Sequence, residues 1–304
     1  MLLSPVLALV AVWFLAPTWL RGPLVAANRA SAGLDAHVTN VAGHELHYLE
    51  AGPRDDEAIV LLHGIFAEKD HWVDFTRAWG TDRRVLIPDL PGFGESTRRD
   101  DARYDYASQV ERLHAFLDDR GVTRVHLAGS SMGGTIAALY AIEHPERVPS
   151  VAFIGAPHGI RTLAPSDADR MIERGEIPLI ARDGGGFEAM LGRLFARRPF
   201  LPAPIYVDAR ERAIRDADSN VRLWREQLAD RHLLHERVTA LRAPLLALWG
   251  ERDRIFDASG ARALRELQPD ATIEVLPGLG HLPMMEDPAG TAAAYRAFVE
   301  RHAR

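Results

Sequence analysis

The sequence predicts an α/β protein in which a mostly parallel sheet carries helices on both faces. Two observations predict this class. Short continuous apolar runs of the buried-strand type alternate along the chain with segments of helical periodicity. The alternation is interrupted once, over residues 157–242, where several helical segments and no convincing strand occur. With 304 residues and 47% hydrophobic content, the chain has enough apolar surface for a sizeable core.

The first half of the chain supplies a hairpin and the central strands. Val38 to Ala51 has the pattern of a β-hairpin with its turn at Ala42-Gly43. The apolar runs that follow are short, and Gly or Pro ends several of them. In order, the predicted elements are strands over Ala58–Leu62 and Arg84–Asp89, a helix over Tyr106–Arg120, a strand over Arg124–Ala128, a helix over Met132–His144 and a strand over Val148–Ile154.

The second half contains the insertion and the end of the sheet. Helical segments are predicted over Gly186–Ala196 and Asp208–Arg231, and their apolar residues need a surface to cover. The open carboxyl edge of the sheet provides one, so we expect residues 157–242 to form a helical lid. Strands over Leu245–Trp249 and Thr272–Leu276 and a helix over Pro288–His302 complete a core of residues 38–156 and 243–304.

Composition excludes several classes of function. The 36 basic and 42 acidic residues give a net charge of -6, which provides no cationic surface for nucleic acid. With no cysteine, the chain has no disulfide, no thiolate nucleophile and no zinc-thiolate site. No metal or cofactor motif is present either, so any reaction has to use other side chains.

The N-terminal residues 1–21 have the character of a membrane anchor. Leu2 to Leu20 contains no charged side chain, and 19 helical residues reach roughly 28 Å, close to the ~30 Å of a bilayer core. Arg21 and Arg29 follow the segment, which favours a cytoplasmic body joined by a polar linker over residues 22–37. Two alternatives are a signal peptide whose cleavage releases the body to the periplasm or the outside, and a helix buried in the body.

Ser131 is the predicted nucleophile. It lies in Gly129-Ser130-Ser131-Met132-Gly133, where a predicted strand ends and a predicted helix begins. A sharp turn there would strain the backbone at Ser131, and the flanking glycines omit side chains that would collide. An ordinary helix N-cap serine would not need both glycines, so we favour the nucleophile.

A serine hydroxyl needs a base and an acid that orients the base. His281 lies in a loop after the last predicted strand, and Asp253 lies in the equivalent loop after the preceding strand. Loops at the carboxyl ends of parallel strands gather at one crevice. Glu251 and Asp257 are rival acids, although N-capping is the more ordinary role for Asp257.

Two backbone N–H groups have to stabilise the oxyanion of such a reaction. Met132 follows the nucleophile at the helix start and can supply the first. The loop after Ala58–Leu62 supplies the second, which we assign to Ile65 with Phe66 as the near rival. His63 in the same loop is interpreted as a structural residue that bonds loop backbone.

These motifs resemble those of the α/β-hydrolase superfamily. The resemblance runs from about Val38 to the C-terminus and includes His63-Gly64, Gly129 to Gly134 and Gly280-His281. The segment from Asp89 to Ser96 and that from Trp249 to Asp253 also match, as does the chain order serine, aspartate, histidine. Within the superfamily the chain is similar to membrane-anchored monoacylglycerol lipases and bacterial lipases.

The resemblance implies a serine hydrolase that cleaves carboxylic esters without a cofactor. Monoacylglycerols or similarly apolar acyl esters are the first expected substrates. One alternative is hydrolysis of a carbon-carbon bond in ring-fission products, whose anionic substrates would suit Arg or Lys facing Ser131. Another is a membrane-tethered binding protein that has kept the fold and lost turnover.

Overall fold

The computed structural model describes residues 17–302 and is built on one eight-stranded sheet. The strands are β1 (Asp35–Val41), β2 (His44–Ala51), β3 (Glu57–Leu62), β4 (Arg84–Pro88), β5 (Arg124–Ser131), β6 (Ser150–Pro157), β7 (Leu245–Gly250) and β8 (Thr272–Leu276). Their order is β1-β2-β4-β3-β5-β6-β7-β8. Only the β1/β2 and β2/β4 pairs are antiparallel, so the predicted mostly parallel sheet is confirmed.

Helices cover both faces of this sheet. The core helices are α2 (Val73–Trp79), α3 (Tyr106–Asp119), α4 (Met132–Glu143), α10 (Ser259–Leu267), α11 (Pro283–Glu286) and α12 (Pro288–His302). Helices α2 and α12 belong to one buried apolar cluster, and α3, α4 and α10 belong to the other. Alternate residues of β3 enter the two clusters, Ile59 on one side and Val60 on the other. This burial on both faces is typical of strands in a parallel sheet.

The opening hairpin turns at Ala42-Gly43, as predicted. Both residues have positive φ, 48° and 74°, which a two-residue type I′ turn requires. The β1/β2 register then pairs Val41 with His44 and Asp35 with Glu50. The strand pair therefore begins at Asp35, three residues before the predicted start of the core.

The stretch between β6 and β7 is helical throughout its regular elements. It contains α5 (Asp167–Glu173), α6 (Gly184–Leu194), α7 (Ala203–Arg215), α8 (Ala217–Ala229) and α9 (Leu233–Arg237). We refer to residues 158–244 as the insertion. The single helix predicted over Asp208–Arg231 is two helices, because α7 ends at Arg215 and Asp216 separates it from α8.

The linker expected over residues 22–37 is instead largely a helix, α1 (Arg21–Ser31), followed by the start of β1. Ion pairs hold α1 on the body: Arg21 Nε lies 2.7 Å from Asp208 Oδ2, and Arg29 Nη2 lies 2.5 Å from Asp70 Oδ2. Residues 1–16 of the predicted anchor lie outside the described residues, and Pro17–Leu20 forms a 3-10 helix directly before α1. No helix within residues 17–302 combines the length and apolar character needed to cross a membrane.

Helix α4 begins in direct contact with the backbone of the sheet. A Cβ added to Gly133 would lie 2.2 Å from the carbonyl oxygen of Leu62 at the end of β3. A Cβ added to Gly129 would lie 2.3 Å from the carbonyl carbon of Gly133. Neither position leaves room for a side chain, so glycine at both positions allows the helix to start this close to the strands.

We expect Gly133→Ala to lower the free energy of unfolding by about 3 kcal/mol, because its methyl group would overlap backbone that cannot move aside. Gly192→Ala in α6 is the matched control, since a Cβ there meets nothing within 4 Å. That substitution should be neutral or stabilise by up to about 1 kcal/mol through the higher helix propensity of alanine. Denaturant unfolding of the purified variants measures both, and equal effects would contradict the contact described.

Candidate active site

Ser131 lies at the sharp turn between β5 and α4. Its backbone has φ 53° and ψ -120°, a conformation that residues other than glycine rarely adopt. The β5/β6 register shifts between Gly129 and Ser131 at the same point. The turn directs Ser131 to the carboxyl edge of the sheet, where its side chain lines a cavity.

The loop after β3 lies against Ser131. A Cβ on Gly64 would be 3.2 Å from Ser131 Cβ, so the loop backbone and the serine are nearly in contact. Ile65 and Met132 line the same cavity as Ser131. Met132 is the first residue of α4, where the N–H group has no intrahelical acceptor. Within residues 17–302, the N–H of Ile65 also donates no hydrogen bond to the protein.

Asp253 and His281 are hydrogen-bonded to each other. His281 Nδ1 lies 2.8 Å from Asp253 Oδ2, and both residues are buried. The other carboxylate oxygen, Asp253 Oδ1, accepts the backbone N–H groups of Ile255 at 2.7 Å and Phe256 at 2.9 Å. These two bonds fix the orientation of the carboxylate. An ionised Asp253 makes Nδ1 the protonated nitrogen of His281 and leaves Nε2 as a proton acceptor.

The rival acids are engaged elsewhere. Glu251 accepts the backbone N–H of Gly278 at 2.9 Å, and Asp257 accepts that of Ser259 at 2.9 Å, at the start of α10. Glu251 therefore ties two loops together, and Asp257 serves the helix start as expected. Asp253 is the candidate acid that the structure brings to His281.

Ser131 lines the cavity, whereas His281 is not one of the described lining residues and contacts Phe256, which is. Among the described residues Ser131 Oγ has no hydrogen bond to His281. The ring of Phe256 lines the cavity beside Ser131 and lies edge-on to His281, with 5.3 Å between ring centroids. A serine-histidine bond that is open in the free enzyme and closes with substrate is common in sites of this kind.

The cavity in front of Ser131 is largely apolar. Its volume is about 40 Å³, and the insertion supplies much of its wall. The apolar lining from the insertion and the β7 loop consists of Ala168, Ile172, Leu179, Trp224, Leu228, Ile255 and Phe256. Arg231 is the one basic side chain in the described lining apart from histidine, and it forms an ion pair with Asp169.

Sequence reasoning missed several lining residues, among them His158 and Tyr106. His158 follows β6, and its Nδ1 lies 2.6 Å from Tyr106 OH at the start of α3. Burial lowers the pKa of His158 to about 4, so the imidazole is neutral at pH 7. A residue after a parallel strand is a general signal for such a position, but the predicted strand ended at Ile154, three residues too early.

His63 supports the loop that carries Ile65. Leu90 N–H donates to His63 Nε2 at 2.9 Å, so Nδ1 carries the proton and donates to Gly64 O at 2.7 Å. Burial outweighs this second bond and lowers the pKa of His63 to about 4. The structural role predicted for His63 is confirmed.

Comparisons with known proteins agree with this fold. A sequence profile of the α/β hydrolase fold family matches residues 57–288. Monoacylglycerol lipase abhd6-B of Xenopus laevis is 27% identical over 312 residues, covering 98% of this chain and 92% of the relative. Lipase 1 of Psychrobacter immobilis is 27% identical over 263 residues, covering 86% of this chain and 82% of the lipase. The crystal structure of a membrane phospholipase A, a bacterial virulence factor, is 37% identical with a TM-score of 0.91, covering 98% of this chain and 96% of that one.

We expect His63 to make the fold sensitive to acid. Its pKa falls from an ordinary 6.5 in the unfolded chain to about 4 in the folded one, so the unfolded chain binds more protons between these values. The contribution of neutral His63 to the free energy of unfolding is present above pH 6.5 and is lost as pH falls toward 4. Between pH 7 and pH 5 it amounts to about 2 kcal/mol.

The measurement is denaturant unfolding at pH 7 and pH 5 for the parent and for His63→Gln, which does not titrate. The loss of stability on acidification should be smaller in the variant, whatever its stability at pH 7. An identical loss in both proteins would show that His63 does not carry this proton linkage.

Proposed function

The chain belongs to the α/β hydrolase fold family, and we propose that it is a serine hydrolase that cleaves carboxylic esters of apolar acyl groups, with monoacylglycerols as the first expected substrates. The observation that carries the proposal is the position of Ser131. It occupies a strained turn at the carboxyl edge of the sheet and faces an apolar cavity. The names of the relatives, monoacylglycerol lipase and lipase, support the same class.

In the proposed reaction Ser131 Oγ attacks the ester carbonyl and forms an acyl-enzyme. His281 Nε2 takes the serine proton and then gives it to the leaving alcohol, after which it activates water to release the acid. Asp253 stabilises the imidazolium that forms transiently, because its carboxylate lies 2.8 Å from Nδ1. No step needs a cofactor.

Two backbone donors are proposed to hold the oxyanion. The N–H of Met132 points from the start of α4, where the helix dipole also favours negative charge. Ile65 is assigned as the second donor, since it lines the cavity and its N–H is otherwise unused. Each such donor is worth roughly 3 kcal/mol of barrier.

The cavity lining favours apolar ester substrates over anionic ring-fission products. Carboxylate-bearing substrates would need a cation that is free to pair with them. Arg231 is already neutralised by Asp169, and the remaining lining from the insertion is mostly aliphatic or aromatic. An acyl chain has no polar groups to desolvate when it packs against such a lining, and burial of each CH₂ group contributes about 0.8 kcal/mol of binding free energy.

The insertion is proposed to act as a lid. A cavity of about 40 Å³ has room for water, whereas sites for ligands the size of an acyl ester occupy several hundred Å³. Substrate entry therefore requires displacement of the side chains or helices that close the cavity. Helices α5 and α8 supply Ile172, Trp224 and Leu228 to that wall and are among the elements expected to move with the insertion.

A membrane location for the protein is also proposed, with the uncharged residues 2–20 as the anchor and the body on the cytoplasmic side. Supporting it are the absence of charge in that segment and the arginine that follows it directly. One matched structure is described as a membrane enzyme. A membrane-held body would meet its lipid substrates at the bilayer surface.

We expect Ser131→Ala to lower kcat on p-nitrophenyl esters by about 10⁴-fold or more and to abolish labelling by a fluorophosphonate, because no other group can form the acyl-enzyme. Ser130→Ala is the matched control: the neighbouring Ser130 is fully buried, and its Oγ has no hydrogen-bond partner among the described residues. Its activity should stay within a few-fold of the parent. Labelling of folded Ser131→Ala would refute the nucleophile.

We expect kcat/KM to rise with acyl length across a series of monoacylglycerols, because each added CH₂ group is buried against the apolar lining. The comparison substrate is a dienoate of the ring-fission type, whose turnover is measured as a loss of its absorbance. Turnover of the dienoate above that of every ester in the series would favour the carbon-carbon hydrolase instead.

A further inference from the structure

Three consecutive charged residues, Glu68, Lys69 and Asp70, follow the loop that carries Ile65. Each binds a different part of the chain. Glu68 pairs with α7 of the insertion, Lys69 pairs with the loop after β4, and Asp70 pairs with helix α1. We refer to residues 68–70 as the ionic hub. The hub is separated from Ile65 by only two residues, so its position constrains the proposed oxyanion donor.

The link to the insertion is the most directional of the three. Arg212 Nη1 and Nη2 lie 2.7 Å and 2.9 Å from the two carboxylate oxygens of Glu68, which is a bidentate arrangement. Arg212 Nε is bound in turn by Asp208 at 2.8 Å. Arg21 of α1 lies between the two acids that bind Arg212, 2.7 Å from Asp208 and 3.9 Å from Glu68. Each of the three guanidinium nitrogens of Arg212 thus donates to a carboxylate.

The other two hub residues fix the hub to the loop after β4 and to helix α1. Lys69 Nζ lies 2.5 Å from both Asp89 Oδ2 and Glu95 Oε2, and Lys69 N–H donates to Asp89 Oδ1 at 2.6 Å. Asp70 accepts two bonds from Arg29, at 2.7 Å and 2.5 Å. Lys69 and Asp89 are almost completely buried, so this side of the hub cannot be rearranged cheaply.

The pair between Glu68 and Arg212 is better shielded than ordinary surface ion pairs. The Glu68 side chain is 15% exposed and that of Arg212 is 28% exposed. Although burial acts to raise it, hydrogen bonds and charge from Arg212 hold the pKa of Glu68 far below its usual range. The carboxylate stays ionised at any pH at which the protein would work.

We propose that Glu68 is a positioning residue. Its contact with Arg212 of the insertion fixes the position of the loop that carries Ile65, the proposed oxyanion donor. The inference rests on the proposed function. When the insertion is seated, Arg212 holds Glu68 and the loop places the N–H of Ile65 beside Ser131. When the insertion moves to admit substrate, Arg212 leaves and the loop loses one of its three restraints. The oxyanion hole is then complete only after the insertion has closed over the substrate.

Arg212→Met tests the link because it removes the fork of donors and keeps much of the apolar stem. We expect kcat on p-nitrophenyl butyrate to fall about tenfold with KM within twofold of the parent, and the rate of fluorophosphonate labelling to fall by a similar factor. Arg212→Lys keeps the charge without the bidentate geometry and should recover part of the loss. Arg215→Met is the matched control on the same helix, because Arg215 is exposed and pairs only with the adjacent Asp216 among the described residues.

Hydrogen exchange provides a readout independent of turnover. Amides over residues 63–70 should exchange several-fold faster in Arg212→Met than in Arg215→Met, while the rates in β5 and α4 stay unchanged. The double variant Glu68→Gln with Arg212→Met should lose no more kcat than the worse single variant, since both act through one contact.

If Arg212→Met kept the parental kcat, labelling rate and hydrogen exchange while Ser131→Ala was inactive, the link between Arg212 and the loop would be overturned. The proposed function would still stand. Parental hydrolysis by Ser131→Ala would overturn the proposed function, and the positioning role would fall with it. A loss that appears equally in Arg215→Met would assign the effect to general destabilisation and would also overturn the inference.

Discussion

Helix α4 starts in contact with the backbone of β3 and β5, and the geometry of the candidate site depends on that contact. Gly133 lies so near Leu62 O that any Cβ would be 2.2 Å from it, and Gly129 is similarly confined. The chain has to turn within one residue, and Ser131 takes the resulting positive φ. Strain of this kind costs about 1–3 kcal/mol and persists only where the surroundings impose it. Helix α4 is buried from Met132 to Ala141, with Ile136 and Tyr140 at 0% exposure, and supplies that constraint.

A second close approach positions the other candidate residues. A Cβ on Gly250, the last residue of β7, would lie 2.0 Å from Gly280 O, so the loops bearing Asp253 and His281 come together only because position 250 is glycine. The loop backbone then orients Asp253 through two N–H groups, and Asp253 orients His281. These two successive sets of hydrogen bonds limit how far the imidazole can rotate.

The sequence predicted the parts of this arrangement that are local. Strand, turn and helix around Ser131 have short-range patterns, and the strand-end positions of Asp253 and His281 follow from a parallel sheet. The sequence favoured Asp253 over Glu251 and Asp257, but all three lie on one loop, and their different hydrogen-bond partners separate them. Helix α1 was expected to be a linker, and the acids that pair with its arginines, Asp208 and Asp70, lie too far along the chain to give a local signal. Arg212 and Glu68 are 144 residues apart, so no periodicity could pair them.

The insertion meets the core through two unlike kinds of contact, and the difference suits an element that is proposed to act as a lid. On the cavity side, aliphatic and aromatic side chains meet without fixed directions, so small displacements cost little per contact. On the side of α7, the bidentate pair between Arg212 and Glu68 is directional and is either formed or broken. Removing a partly buried carboxylate from its partner is costly unless water replaces that partner, and the proposed opening of the insertion would admit water. The apolar side therefore tolerates graded motion, whereas the ionic side distinguishes a seated insertion from a displaced one.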